Sequence, residues 1–227
     1  MRTSTGSMTM LFLAAFYIAA ASADEGSGYA TAPWVATFSV DLDGKPGGPQ
    51  ETFSVRVHPE WAPEGAKRFE DIVKSGILKD ARFFRVVPQF MAQFGIPGTP
   101  KVAAEWEAKT IPDDEVTQSN TRGRVTFATA GPNTRTTQMF INFGDNSFLD
   151  KQGFAPFAEV LDDGMKVVDR IQQKYREEPN QGSIQSKGNT YLETNFPDLS
   201  FVSSLMSGPA VQKVGAATNS ALRSQAL

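Results

Sequence analysis

The sequence predicts a mainly β fold, a barrel or sandwich of short strands with two helices flanking or plugging it. Three observations lead there. Short apolar runs recur at residues 83–87, 90–94, 125–130, 139–142 and 154–160, separated by Gly, Pro, Asn and Asp. Two earlier runs alternate apolar and polar residues, as half-buried strands do. Two further segments carry apolar residues at helical spacing.

The first strand is expected at residues 35–42, where Ala36, Phe38, Val40 and Leu42 alternate with Thr37, Ser39 and Asp41. Asp43-Gly44 and Gly47-Gly48-Pro49 supply turn chemistry, and Phe53, Val55 and Val57 mark a second strand, so the pair reads as a hairpin with a long loop. The first helix is expected over residues 63–75. Pro63 suits its first turn, Ala66, Phe69, Ile72 and Val73 share a face, and Gly76 is its stop. The five short apolar runs follow as strands. A second helix is expected over residues 164–175, with Met165, Val168, Ile171 and Tyr175 as its stripe and Asp162 or Asp163 as its cap. Residues 176–190 are polar and read as an excursion before a last strand near 199–202.

Composition narrows the chemistry. A hydrophobic fraction of 40% with 21% charged residues is a globular balance, and 17 phenylalanines suit a small β-rich core. A net charge of −3 without any basic run argues against a nucleic-acid partner. The absence of cysteine excludes disulfides, thiolate nucleophiles and iron–sulfur clusters. With His58 as the single histidine, a multi-histidine metal site within one chain is impossible. His58 itself reads as a surface or loop residue. The run Asp113-Asp114-Glu115 reads as a solvated loop, not a metal site.

Residues 1–23 have the three parts of a signal peptide: Arg2, an apolar stretch from Met8 to Ala20, and the small-residue site Ala21-Ser22-Ala23. The apolar stretch is short for a bilayer span, which needs about 20 residues. The expected organisation is therefore a signal peptide at 1–23, a flexible lead-in at 24–33, a folded domain at 34–202 and a disordered tail at 203–227. The secretory pathway, either secretion or an endomembrane lumen, is the expected location. No ER-retention ending and no Asn-x-Ser/Thr sequon is present.

Three ordered motifs carry the functional reading. The first is Phe83-Phe84-Arg85-Val86-Val87-Pro88-Gln89-Phe90-Met91-Ala92-Gln93-Phe94-Gly95. The second is Ala130-Gly131-Pro132-Asn133-Thr134 with Gln138-Met139-Phe140-Ile141. The third is Phe148-Leu149-Asp150 with Phe157-Ala158-Glu159-Val160. Taken singly, a Phe or Met in an alternating run more often belongs to a core, and a lone arginine in a strand more often faces solvent. Together, over residues 35–168 and more loosely to 202, the chain resembles the cyclophilin-type peptidyl-prolyl cis/trans isomerases.

The resemblance implies a closed antiparallel eight-stranded β-barrel with two helices. It implies isomerisation of X-Pro bonds with Arg85 as the catalytic donor. It places Phe90, Met91, Gln93, Ala128, Thr129, Gln138, Phe140, Phe148 and Leu149 along the substrate groove. No cofactor and no metal are expected, and the partners are proline-containing peptides and unfolded proteins bound by a monomer. The chemistry suits the residues. Peptide rotation faces about 18–20 kcal/mol because the nitrogen lone pair is delocalised. A donor aimed at that nitrogen favours the twisted, pyramidal state over the planar one. Arginine, always charged and planar, is such a donor. Phe90, Met91 and Phe140 are the materials of a proline socket, and Gln93 and Gln138 can hold the substrate backbone.

The chain departs from the family pattern in places. Phe84 replaces a histidine, a change expected to matter little. Phe94 replaces a glycine and is expected to add bulk near the groove. Thr129 stands where Asn is common, in a position that often acts through its backbone. Phe148 replaces the tryptophan of cyclosporin-sensitive members, so cyclosporin binding is expected to be weakened while catalysis survives. Two other readings stand beside the enzyme. One is a proline-peptide binding module on the same groove. The other is an interaction protein acting through the loop at 98–122 or the tail. Arg122, Arg124 and Arg135 read either as groove approaches or as solvated charges.

Overall fold

A computed structural model describes residues 28–208. The expected signal peptide, the lead-in before residue 28 and the tail beyond residue 208 lie outside the described residues. The elements are β1 (Trp34–Asp41), β2 (Gln50–Val57), α1 (Pro63–Ser75), β3 (Arg85–Val87), β4 (Met91–Phe94), α2 (Pro100–Glu107), β5 (Arg124–Phe127), β6 (Met139–Asn142), β7 (Pro156–Val160), α3 (Met165–Val168), α4 (Gln181–Lys187), α5 (Asn189–Asn195) and β8 (Phe201–Gly208). A 3₁₀ turn, Ser147–Gln152, precedes β7.

The eight strands form one antiparallel sheet in the order β3-β4-β6-β5-β7-β2-β1-β8. Every strand and α1 contribute to a single core, in which Phe38, Phe53, Phe69, Phe94, Phe127 and Phe157 are buried. The sheet therefore curls around α1 as a half-barrel. The expected closure is incomplete: β3 itself does not pair with β8, and only the segment before it does, through an isolated bridge from Arg82 to Phe201 and backbone hydrogen bonds from Asp80 to Val202, from Val202 to Ala81 and from Phe83 to Ser200. The reason lies in the destination of one hydrogen bond. The Val86 N–H on β3 donates to the Arg176 carbonyl at 3.0 Å, so a loop occupies the edge that β8 would need.

Helix α1 has the expected bounds. Gly76 ends it in the left-handed conformation, donating its N–H to Ile72 and Val73. Its start is held from afar, because Asp114 accepts the N–H groups of Glu64 at 2.9 Å and Gly65 at 2.7 Å. Asp113 accepts from Arg135 and from the Asn133 N–H. The acidic run is a loop with Asp113 and Glu115 exposed, as expected, but Asp114 and Asp113 also act as structural clamps. Burial pushes the Asp114 carboxyl up, opposed by those two N–H donors.

Two expectations about helices fail. The second helix stops at Val168 and has no side-chain cap at its start. Its continuation tightens to i→i−3 bonds, and Ser200 then captures the Gln172 N–H at 3.0 Å. The described residues also contain α2, α4 and α5, which the sequence did not announce. Phe84 explains them. It is buried in a second apolar cluster with Ile96, Ala103, Ile184, Leu192 and Leu199, drawn from the three helices and the segments beside them. Phe84 thus fills an apolar position and does not line the groove. Strand β8 continues to Gly208, pairing with β1 well past the expected domain end at 202.

Candidate active site

Strand register builds the site. Arg85 pairs with Gln93 across β3–β4, Gln93 with Phe140 across β4–β6, and Phe140 with Thr126 across β5–β6. Side chains alternate along a strand. Val86, Ala92, Ile141 and Val125 therefore face the core, while Arg85, Gln93 and Phe140 share the outer face. Phe94 points inward, its ring 4.7 Å from that of Phe83, and adds no bulk to the groove. Gly95 lets the chain leave β4. Its φ is +111°, and a Cβ there would lie 2.3 Å from the Thr137 carbonyl oxygen.

The outer face carries a groove of about 510 Å³. Met91, Phe140 and Leu149 form its buried floor, packed against Val87, Phe90, Ala128 and Phe154. Arg85, Gln93, Thr129 and Gln138 also line it. Phe148 does not: it is 56% exposed, with its ring 6.0 Å from that of Phe90. Phe154, expected in the strand run at 154–160, lies before β7 and meets Phe140 edge-on at 5.7 Å. Glu107, Thr110, Gln181 and Gln185 extend the lining from α2, α4 and the loop after α2. No sequence pattern pointed to these four, because their elements were not foreseen.

The polar groups form a chain. Arg85 donates from Nη1 to Gln93 Oε1 at 3.1 Å, and Gln93 donates from Nε2 to Gln138 Oε1 at 3.0 Å. The guanidinium lies 5.8 Å from the centre of the Phe90 ring. Its Nε and Nη2 also meet Glu177 Oε1, at 2.7 and 2.6 Å. Thr129 keeps its hydroxyl within its own turn, where it accepts the Gly131 N–H at 3.0 Å.

A buried amide network supports the floor. Asn120 donates to Asp150 Oδ1 and to the Phe154 carbonyl, each at 2.8 Å. Asn146 donates to Asn142 Oδ1 at 2.7 Å and to the Phe90 carbonyl at 2.8 Å. Burial works against the Asp150 charge, but donation from Ser119 and Asn120 prevails and holds its carboxyl below the ordinary value.

The remaining candidates lie elsewhere. His58 lies in the loop after β2, as expected, but is buried there, with its ring stacked on Trp61 at 3.6 Å and its Nδ1 2.7 Å from Glu60. It is not among the groove residues. Arg122, Arg124 and Arg135 are not among the groove residues: Arg122 is a solvated charge paired with Asp169, Arg124 is half-buried against Glu159, and Arg135 is buried against Asp113.

A family model described as cyclophilin type peptidyl-prolyl cis-trans isomerase/CLD matches residues 40–189. A peptidyl-prolyl cis-trans isomerase of Acinetobacter baylyi is 36% identical over 122 residues, 52% of this chain and 64% of that protein. Peptidyl-prolyl cis-trans isomerase B of Escherichia coli is 36% identical over 127 residues, 52% of this chain and 76% of that protein. Among solved structures, a cyclophilin type peptidyl-prolyl cis-trans isomerase of Cryptosporidium parvum superposes with a TM-score of 0.53 at 16% identity, covering 78% of this chain and 98% of that one. The chain belongs to the cyclophilin-type peptidyl-prolyl isomerase family.

Proposed function

We propose that this protein catalyses cis/trans isomerisation of X-Pro peptide bonds in client polypeptides. The observation that carries the reading is the Arg85 guanidinium, held by Gln93 at the side of an apolar groove floored by Met91, Phe140 and Leu149. The substrate proline enters the apolar floor. The arginine donates toward the prolyl nitrogen as its lone pair localises, an interaction made in the twisted state and weak in the planar one. A differential of roughly 7 kcal/mol corresponds to about a 10⁵-fold acceleration. Phe90 and Ala128 border the socket, and Gln138 holds the substrate backbone.

The same reading extends to the surroundings. The three-part pattern of residues 1–23 supports entry into the secretory pathway. Phe148 has no indole N–H and stands exposed, which supports weakened cyclosporin binding. The protein acts as a monomer on unfolded or flexible segments.

The test is exchange NMR on a short X-Pro peptide with the protein and with Arg85→Ala. Strong acceleration that drops by about a hundredfold in a folded variant supports the donor role. A wild type that binds the peptide without accelerating exchange favours the binding module instead.

A further inference from the structure

Three of the five donors of the Arg85 guanidinium are already engaged: Nη1 by Gln93, and Nε and Nη2 by Glu177 Oε1. Glu177 comes from a loop far along the chain and belongs to none of the motifs that place the groove residues. We propose that Glu177 is a positioning residue for catalysis: it holds the Nε–Nη2 edge of Arg85 so that the remaining donors face the groove. This rests on the isomerase reading above.

The loop is built to deliver that carboxylate. Its Arg176 carbonyl accepts the Val86 N–H at 3.0 Å, tying it to the residue after Arg85. Arg176 itself is left-handed, with φ +46°, a conformation costly for a residue with a side chain. On one side, Tyr175 packs edge-on against Phe196 at 5.2 Å and donates to Asp198 at 3.0 Å. On the other, the Asn180 side chain caps α4 by accepting the Ser183 N–H at 2.9 Å. Both ends of the segment are therefore fixed, and the Glu177 side chain spans only the gap to the guanidinium.

Stability is a poor account of this pair. The Glu177 side chain is 59% exposed and that of Arg85 32% exposed, and such ion pairs contribute little to folding. Orientation is a better account. A guanidinium held along one edge and at one further donor cannot rotate in its plane, and the direction of its remaining N–H groups is set before substrate arrives.

The test compares wild type with Glu177→Ala, Glu177→Gln and Glu177→Asp. Turnover and affinity are separated by exchange NMR at varied peptide concentration, and the side-chain Nε–H resonance of Arg85 is followed in each protein. The expected result for Glu177→Ala is a kcat lower by about tenfold with KM within about twofold, and a rapidly exchanging Nε–H. Glu177→Gln, whose amide oxygen still accepts, restores most of kcat and the Nε–H protection. Glu177→Asp, one methylene shorter, does not. An unchanged kcat in Glu177→Ala overturns the proposal. So does an increase, which would mean that the carboxylate restrains the arginine instead. If wild type accelerates nothing, the isomerase reading falls by itself. The Nε–H measurement then still decides whether Glu177 holds Arg85, and an equally protected Nε–H in Glu177→Ala overturns that.

Discussion

Gln93 donates its amide N–H to Gln138 Oε1 at 3.0 Å, which leaves its own Oε1 directed at Arg85 Nη1, 3.1 Å away. The orientation of one amide thus decides whether the arginine meets an acceptor or another donor. Gln138→Leu removes the constraint and lets the Gln93 amide turn over. The expected outcome is a loss of about tenfold in kcat/KM, roughly 1.4 kcal/mol, with the fold intact. Exchange NMR on an X-Pro peptide measures it. Wild-type turnover in this variant would show that Gln138 does not set the amide.

Phe84 anchors the cluster that joins α2, α4 and α5 to the barrel. Phe84→Ala should cost about 3–5 kcal/mol in urea unfolding, the usual range for a buried phenylalanine. Amide hydrogen exchange should accelerate first in α4 and α5, because each buries a single apolar residue, Ile184 and Leu192. Uniform acceleration across the sheet would contradict this division.

Asp150 ties the 3₁₀ turn carrying Leu149 to Asn120. Its folded-state carboxyl lies below its ordinary value of 3.8. The stabilisation it supplies is therefore fully present above that value and is lost as pH falls through the lower, folded one. Urea midpoints for wild type and Asp150→Asn should differ most near neutrality and converge in strong acid. A gap that stays constant down to strong acid would remove this carboxylate from the acid sensitivity.

Gly95→Ala tests the exit from β4. With φ at +111° and a carbonyl oxygen 2.3 Å from the new Cβ, the backbone must move. A loss of more than about 2 kcal/mol is expected by denaturant titration, with peptide turnover impaired because Gln93 lies two residues upstream. A neutral substitution would mean that the Thr137–Gln138 segment gives way freely.

Much of the fold was legible because burial imposes short periods. The alternation of Phe38 and Val40, or of Phe53 and Val55, announces a strand by itself, and Ala66, Phe69 and Ile72 announce α1. Nine residues of the groove were legible through the family resemblance, and the structure gathers Arg85, Phe90, Met91, Gln93, Ala128, Thr129, Gln138, Phe140 and Leu149 around it; Glu107, Thr110, Gln181 and Gln185 were not legible. Phe148 stands outside the groove. Helices α4 and α5 were not legible, since seven-residue helices with one buried residue each show no period.

By itself, then, the sequence determined where most strands lie, where α1 begins and ends, and which family motifs meet, though not that β8 runs on to Gly208. Those are local patterns, dictated by which side of each element must leave water. The tertiary structure alone decided that the sheet stays open, that Phe84 organises a second cluster, and that Glu177 reaches Arg85. Each of these depends on where a hydrogen-bond donor or an apolar ring finds its partner across a long stretch of chain. The Val86 N–H could have met β8; it meets the Arg176 carbonyl, and the loop bound there brings Glu177 to the arginine.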